Sequence, residues 1–112
     1  MSILNVDYSN MNFEEMAASI GLKVKHMPML VGSFLDESGS IIAPLEDAIN
    51  SNDFDAIKSH AHSIKGSAGN LKFNEIYEMA RDMELSAADT VSSFDYKAHL
   101  QAIKEAIATI PR

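Results

Sequence analysis

The sequence predicts an all-α protein, an antiparallel four-helix bundle with a short additional helix on its N-terminal side. Three observations predict it. Apolar residues recur at three-four spacing through most of the chain, and no segment alternates with period two for long enough to make a strand. The amphipathic stretches are joined by only a few residues each, which makes successive helices antiparallel neighbours. At 112 residues the chain has the size of one domain, taken as 1–112 with the bundle core over about 22–110.

The first helix is expected at about 12–20, where Asn12 and Glu15 form a loose capping pair ahead of Met16, Ala17 and Ile20, and Gly21 ends it. From the low twenties an apolar stripe runs through Met27, Leu30, Val31, Phe34, Leu35, Ile41, Ile42, Leu45 and Ile49. Its phase is kept across Gly39 and Pro44, so one long kinked helix is expected rather than two, starting near Pro28. "NSND" at 50–53 is a turn that supplies the next N-cap. The third helix, about 53–71, carries Ile57, Ala61, Ile64, Ala68 and Leu71; the fourth, about 74–88, carries Ile76, Tyr77, Ala80, Met83 and Ala87. "DTVSS" breaks the pattern, and a fifth helix at about 93–109 carries Tyr96, Leu100, Ile103 and Ile107 before Pro111. Met27, Met29 and Met83 are read as core filler, and His26 and His99 as isolated surface or core-edge residues.

Composition narrows the function. With 46% apolar and 22% charged residues the chain is too apolar for disorder. No run approaches the roughly 18 apolar residues of a membrane span, and no secretory signal opens the chain. There is no cysteine, hence no disulfide or thiolate chemistry. A cytoplasmic address is expected. A formal net charge of −7 disfavours nucleic acid as a partner.

Residues 60–71, "HAHSIKGSAGNL", are the part of the third helix that packing does not explain. Each glycine costs a helix interior about 0.8–1 kcal/mol relative to alanine, and here two stand within four residues. At about 100° per residue His62 points roughly 140° away from the apolar stripe, with Gly66 about 40° and Gly69 about 20° either side of its line. The glycines therefore clear the surface beside an exposed imidazole. Lys58, Lys65 and Lys72, spaced by seven, flank the same line and make it locally basic within an acidic protein. A neutral imidazole is a competent nucleophile. Phosphoryl transfer chiefly needs positioning and compensation of negative charge, which Lys65, one turn on, is placed to supply. His60 lies roughly 200° around from His62 and is read as a half-buried packing residue.

The run "HSIKGSAGNL" closely resembles the signature of histidine-containing phosphotransfer (HPt) domains, H-x-x-K-G-S/A-x-x-x-L/I/V, often followed by glycine. His62, Lys65, Gly66, Ser67 and Leu71 carry the match. "FLDESGSIIAPLEDAINSNDFDAIKSHAH" resembles the family's second helix, turn and third-helix entry, and "NEIYEMARDMEL" its fourth helix. The resemblance implies a phosphorelay carrier in two-component signalling: His62 accepts a phosphoryl group on Nε2 from a receiver-domain aspartyl phosphate and passes it to another receiver aspartate. It implies that Lys65 neutralises charge, that Gly66 lets the receiver approach, and that Ser67, Gly69 and Asn70 support the site. Lys58 and Lys72 would add receiver-facing charge. Lys72 stands where the family usually has glycine, so the third helix is expected to run on further than usual. The implied partners are receiver domains of response regulators or hybrid histidine kinases. The receiver, not this chain, would bring Mg²⁺, and no cofactor of the chain's own is expected. A monomer is expected, and Met1 with the short tail after Ile110 points to a stand-alone protein.

Other readings are weaker. His60 and His62 diverge by about 200° on a helix and cannot chelate one ion together; no zinc motif is present, and no metal site is expected. "KGSAG" has the wrong order for a nucleotide-binding loop and no strand ahead of it, so the chain is not expected to be an enzyme that phosphorylates itself from ATP. The alternative is a non-catalytic helical protein–protein interaction module, which gives no reason for an exposed histidine beside a lysine and two glycines.

Overall fold

The computed structural model describes residues 3–111; the expected domain of 1–112 also takes in residues 1, 2 and 112, which lie outside the described residues. Five α-helices follow one another: α1 (Phe13–Ile20), α2 (Met27–Asn50), α3 (Phe54–Asn70), α4 (Asn74–Ala88) and α5 (Tyr96–Ala108), with a 3-10 turn, Val24–His26, leading into α2. No strand occurs among the described residues. α2 packs on α3, α3 on α4, α4 on α5 and α5 back on α2, closing a helical bundle, with the α3–α4 contact the most extensive. α1 lies against the 3-10 turn and α2. The 24 residues of α2 span about 36 Å, which accounts for most of the molecule's 42 Å length.

The core is what the three-four spacing demanded. Met27, Val31, Phe34 and Leu45 of α2, Ile57 and Ile64 of α3, Ile76, Met79 and Met83 of α4, and Leu100 and Ile103 of α5 are all buried. α2 runs unbroken through Gly39 and Pro44. Side-chain caps set three starts: Asn12 Oδ1 accepts from the Glu14 and Glu15 amides, Asp53 Oδ1 from Ala56, and Asp95 Oδ1 from Ala98.

Several expectations are corrected. α5 begins at Tyr96 rather than near 93, because Asp95 supplies the cap and Phe94 packs on Tyr96 and His99 outside the helix. His99 is fully buried, not at the surface or core edge; its Nδ1 lies 3.1 Å from the Asp95 carbonyl, to which it donates. Met29 is no core filler, being 65% exposed. α3 stops at Asn70 instead of running on through Lys72, which adopts φ 63° in the left-handed region. Residues 3–11, to which no element was assigned, pack along the bundle. Leu4, Val6, Tyr8 and Met11 lie against the core, the Tyr8 amide donates to Thr109 Oγ1 at 2.9 Å, and its hydroxyl donates to Glu75 at 2.8 Å.

Candidate functional site

The site forms where the exposed edge of α3 meets α4. The buried stripe of α3 (Ile57, Ala61, Ile64, Ala68) turns inward, which leaves His62 on the outer surface with its side chain 66% exposed. His60 is half-buried. Across the seam, burial of Ile76, Ala80, Met83 and Ala87 turns the next residue along α4, Glu84, towards α3.

Glu84 joins two side chains of the signature, the His62 imidazole and the Lys65 ammonium. Its Oε2 lies 2.8 Å from His62 Nδ1 and its Oε1 2.7 Å from Lys65 Nζ. The second contact is an ion pair rather than an aligned hydrogen bond. Both partners of that pair are shielded, Lys65 being 24% and Glu84 15% exposed, so it is less screened than a surface pair. Partial burial pushes the Glu84 carboxyl up, but Lys65 and then His62 outweigh it and hold the group below the usual carboxylate range. Glu84 is thus an ionised acceptor, and His62 Nδ1 is the donor. In a neutral imidazole the other nitrogen then keeps its lone pair. With the proton on Nδ1, the Nε2 lone pair is left unused by the contact with Glu84.

The remaining signature residues have different surroundings. Gly66 is exposed, and a Cβ there would meet nothing within 4 Å. Gly69 is not open in this way, since a Cβ would stand 3.2 Å from the Tyr77 ring; its missing side chain lets α4 approach α3. Ser67 and Asn70 face the other side of α3, lining a shallow groove with Leu30, Ser33, Phe34 and Glu37 of α2. Lys58 and Lys72 are exposed, Lys72 beside a cleft that it shares with Tyr8, Met16, Ser19 and Phe73.

Sequence reasoning missed Glu84. It stands 22 residues from His62, and nothing local connects the two. The available signal was the register of the α3 and α4 stripes across a short turn, which sets Glu84 level with the turn of helix between His62 and Lys65.

Among the described residues, no group of three or more His, Asp or Glu side chains comes together to hold a metal ion, and no helix is long and apolar enough to cross a membrane. No curated protein and no solved structure matches the chain. The sequence model of the Hpt domain, the histidine phosphotransfer carrier of phosphorelay signalling, matches residues 29–110. That span holds α3 and α4 entire, with His62, Lys65 and Glu84, and the chain belongs to the Hpt domain family.

Proposed function

We propose that this chain is a receiver-to-receiver carrier built as an antiparallel four-helix bundle, with His62 Nε2 as the atom that takes the phosphoryl group. The Nε2 lone pair attacks the phosphorus of a receiver's aspartyl phosphate. The N–P bond forms as the P–O bond breaks, and aspartate leaves as a carboxylate. The ring, now carrying Nδ1–H and Nε2–P, is cationic, and Glu84 shares the Nδ1 proton and offsets that charge. Lys65 turns from Glu84 towards the phosphoryl oxygens. Onward transfer reverses the step: a second receiver's carboxylate attacks phosphorus, and the imidazole leaves with its Nδ1 proton in place. Mg²⁺ comes with the receiver.

The observation that supports this reading most directly is the 2.8 Å contact of His62 Nδ1 with Glu84 on a side chain that is 66% exposed. It holds one nitrogen and frees the other. The test is labelling by phosphorylated receivers. His62→Gln is expected to abolish the label, because glutamine keeps bulk and helix compatibility but lacks the nucleophile, whereas His60→Gln keeps substantial transfer. The label is expected to be lost in acid and to survive alkali, as a phosphoramidate does. An acid-stable label, or full labelling of His62→Gln, contradicts the assignment.

A further inference from the structure

Two contacts fix which edge of α4 faces α3. A Cβ at Gly69 would stand 3.2 Å from the Tyr77 ring, and Glu84 reaches His62 at 2.8 Å and Lys65 at 2.7 Å. Tyr77 and Glu84 are about two helical turns apart and so share that edge. The position between them is Arg81, about 40° round from Tyr77 and about 60° from Glu84, on the side away from the buried stripe. On α3 the position between the same two contacts is Gly66, which therefore lies opposite Arg81. Gly66 is exposed, and a Cβ there would meet nothing within 4 Å. Its bare backbone leaves a gap between Arg81 and the imidazole.

Charge balance shows what the gap can serve. A phosphoryl group brings about 1.5 to 2 negative charges at neutral pH. The positive charge of a phosphorylated ring is matched by ionised Glu84, and Lys65 offsets only one charge more. The loaded site is left about one positive charge short. Arg81 is the only arginine among the described residues. Its guanidinium now lies 3.4 Å from Glu78, one turn back on α4, with both side chains 47% exposed. A pair so exposed and so long is weakly held. A guanidinium also presents a planar fork of donors that fits two oxygens of one phosphoryl group, which the point charge of a lysine does not.

Resting on the phosphotransfer reading above, we propose that Arg81 is a phosphoryl-binding residue of the loaded carrier. Once His62 is phosphorylated, the guanidinium leaves Glu78, crosses the gap at Gly66 and donates N–H bonds to two phosphoryl oxygens. No covalent bond forms or breaks in this step. It lowers the free energy of the phosphorylated protein and so draws phosphate from the receiver towards His62. On onward transfer Arg81 returns to Glu78. The open space at Gly66 thereby gains a second use, as room for an arginine between transfers.

Two measurements test this, and neither depends on how a receiver docks. Phosphoramidate, a small donor that transfers its phosphoryl group to imidazole with loss of ammonia, loads His62 without a receiver. The pH titration of the ³¹P resonance is then followed. A guanidinium on the oxygens favours the dianion, so Arg81→Gln is expected to raise the pH at which the phosphoryl group takes up a proton. The second measurement is the equilibrium constant for transfer from a phosphorylated receiver that labels the wild-type protein. A contact that serves only docking changes the rates in both directions and leaves the constant between the separated proteins where it was. Arg81→Gln is expected to lower that constant roughly fivefold, the upper range for an exposed ion pair. Arg81→Lys, which keeps the charge and loses the fork, is expected to fall between. Helicity and thermal midpoint are checked in each variant. An unmoved ³¹P titration or an unmoved equilibrium constant in Arg81→Gln overturns the proposal and leaves the phosphotransfer reading intact. So does finding both effects in Lys58→Gln instead. Absence of any label on the wild-type protein from either donor overturns both.

Discussion

Glu84 receives both the His62 imidazole and the Lys65 ammonium, and its ionisation sets a pH window. Its carboxyl is held below the ordinary value of 4.5, so the stabilisation it provides is present above that value and is lost as pH falls through the lower, folded one. The stability difference between the wild-type protein and Glu84→Gln, from urea melts, is expected to be largest near neutral pH and to vanish on acidification. A difference that grows towards acid contradicts the ion pair. The two glycines make a second contrast. Gly66→Ala meets open space and is expected to stabilise the helix by about 0.5–1 kcal/mol, while a long side chain there slows transfer. Gly69→Ala meets Tyr77 at 3.2 Å and is expected to gain less, or to lose; equal gains would contradict the packing role of Gly69. At this scale the sequence was informative about His62, because the outward direction of a side chain follows from helical phase alone. It was silent on Glu84, because a partner on another helix depends on the register between two elements.

The ends of the helices share one device. After α1, α2, α3 and α4 the chain turns through a residue of positive φ, namely Gly21, Asn52, Lys72 and Thr90. In each case the amide of the following residue reaches a carbonyl five positions back: Leu22 to Ala17, Asp53 to Ala48, Phe73 to Ala68 and Val91 to Ser86. This is the Schellman closure, which glycine makes without strain. Gly21 and Asn52 suit it, whereas a long-chain lysine and a β-branched threonine do not. A left-handed conformation costs such residues about 1–2 kcal/mol, against about 0.5–1 kcal/mol for the added freedom of an unfolded glycine. Lys72→Gly and Thr90→Gly are each expected to raise stability by about 0.5–1 kcal/mol in chemical denaturation. A loss from both would show that the closure is not strained. The usual glycine at the Lys72 position is thereby explained: it serves the turn between α3 and α4. Helix bounds were legible wherever an apolar stripe met a turn signal, as for α4 and the start of α3. The start of α5 was not, because Ser92, Ser93 and Asp95 are all plausible caps, and the choice among them is made by the packing of Phe94 on His99.

Over the whole molecule, Phe73 ties together parts that are distant in sequence. It is 1% exposed and its ring lies 5.0 Å from Phe34 of α2 and 4.9 Å from Tyr8 of the N-terminal segment. Burial, with Glu75 beside it, holds the Tyr8 hydroxyl well above the usual phenol range, so it stays a neutral donor. Phe73→Ala is expected to cost about 3–5 kcal/mol and to release residues 3–11, seen as faster hydrogen exchange at the Tyr8 amide. Full protection at Tyr8 in that variant would contradict the linkage. The helical bundle was legible from periodicity, but residues 3–11 were not: "ILNVDYSNM" is too short and irregular to show a period, and its place is set by packing against helices that must assemble first.

The central claim, that His62 presents Nε2 because Glu84 holds Nδ1, is tested most directly by long-range ¹H–¹⁵N correlation of the imidazole, with ³¹P coupling, before and after phosphorylation. The account predicts a protonated Nδ1 in the resting protein and phosphorus coupled to Nε2 after labelling, with the resting tautomer preference weakened in Glu84→Gln. Phosphorus coupled to Nδ1, or a resting ring protonated on Nε2, would contradict it.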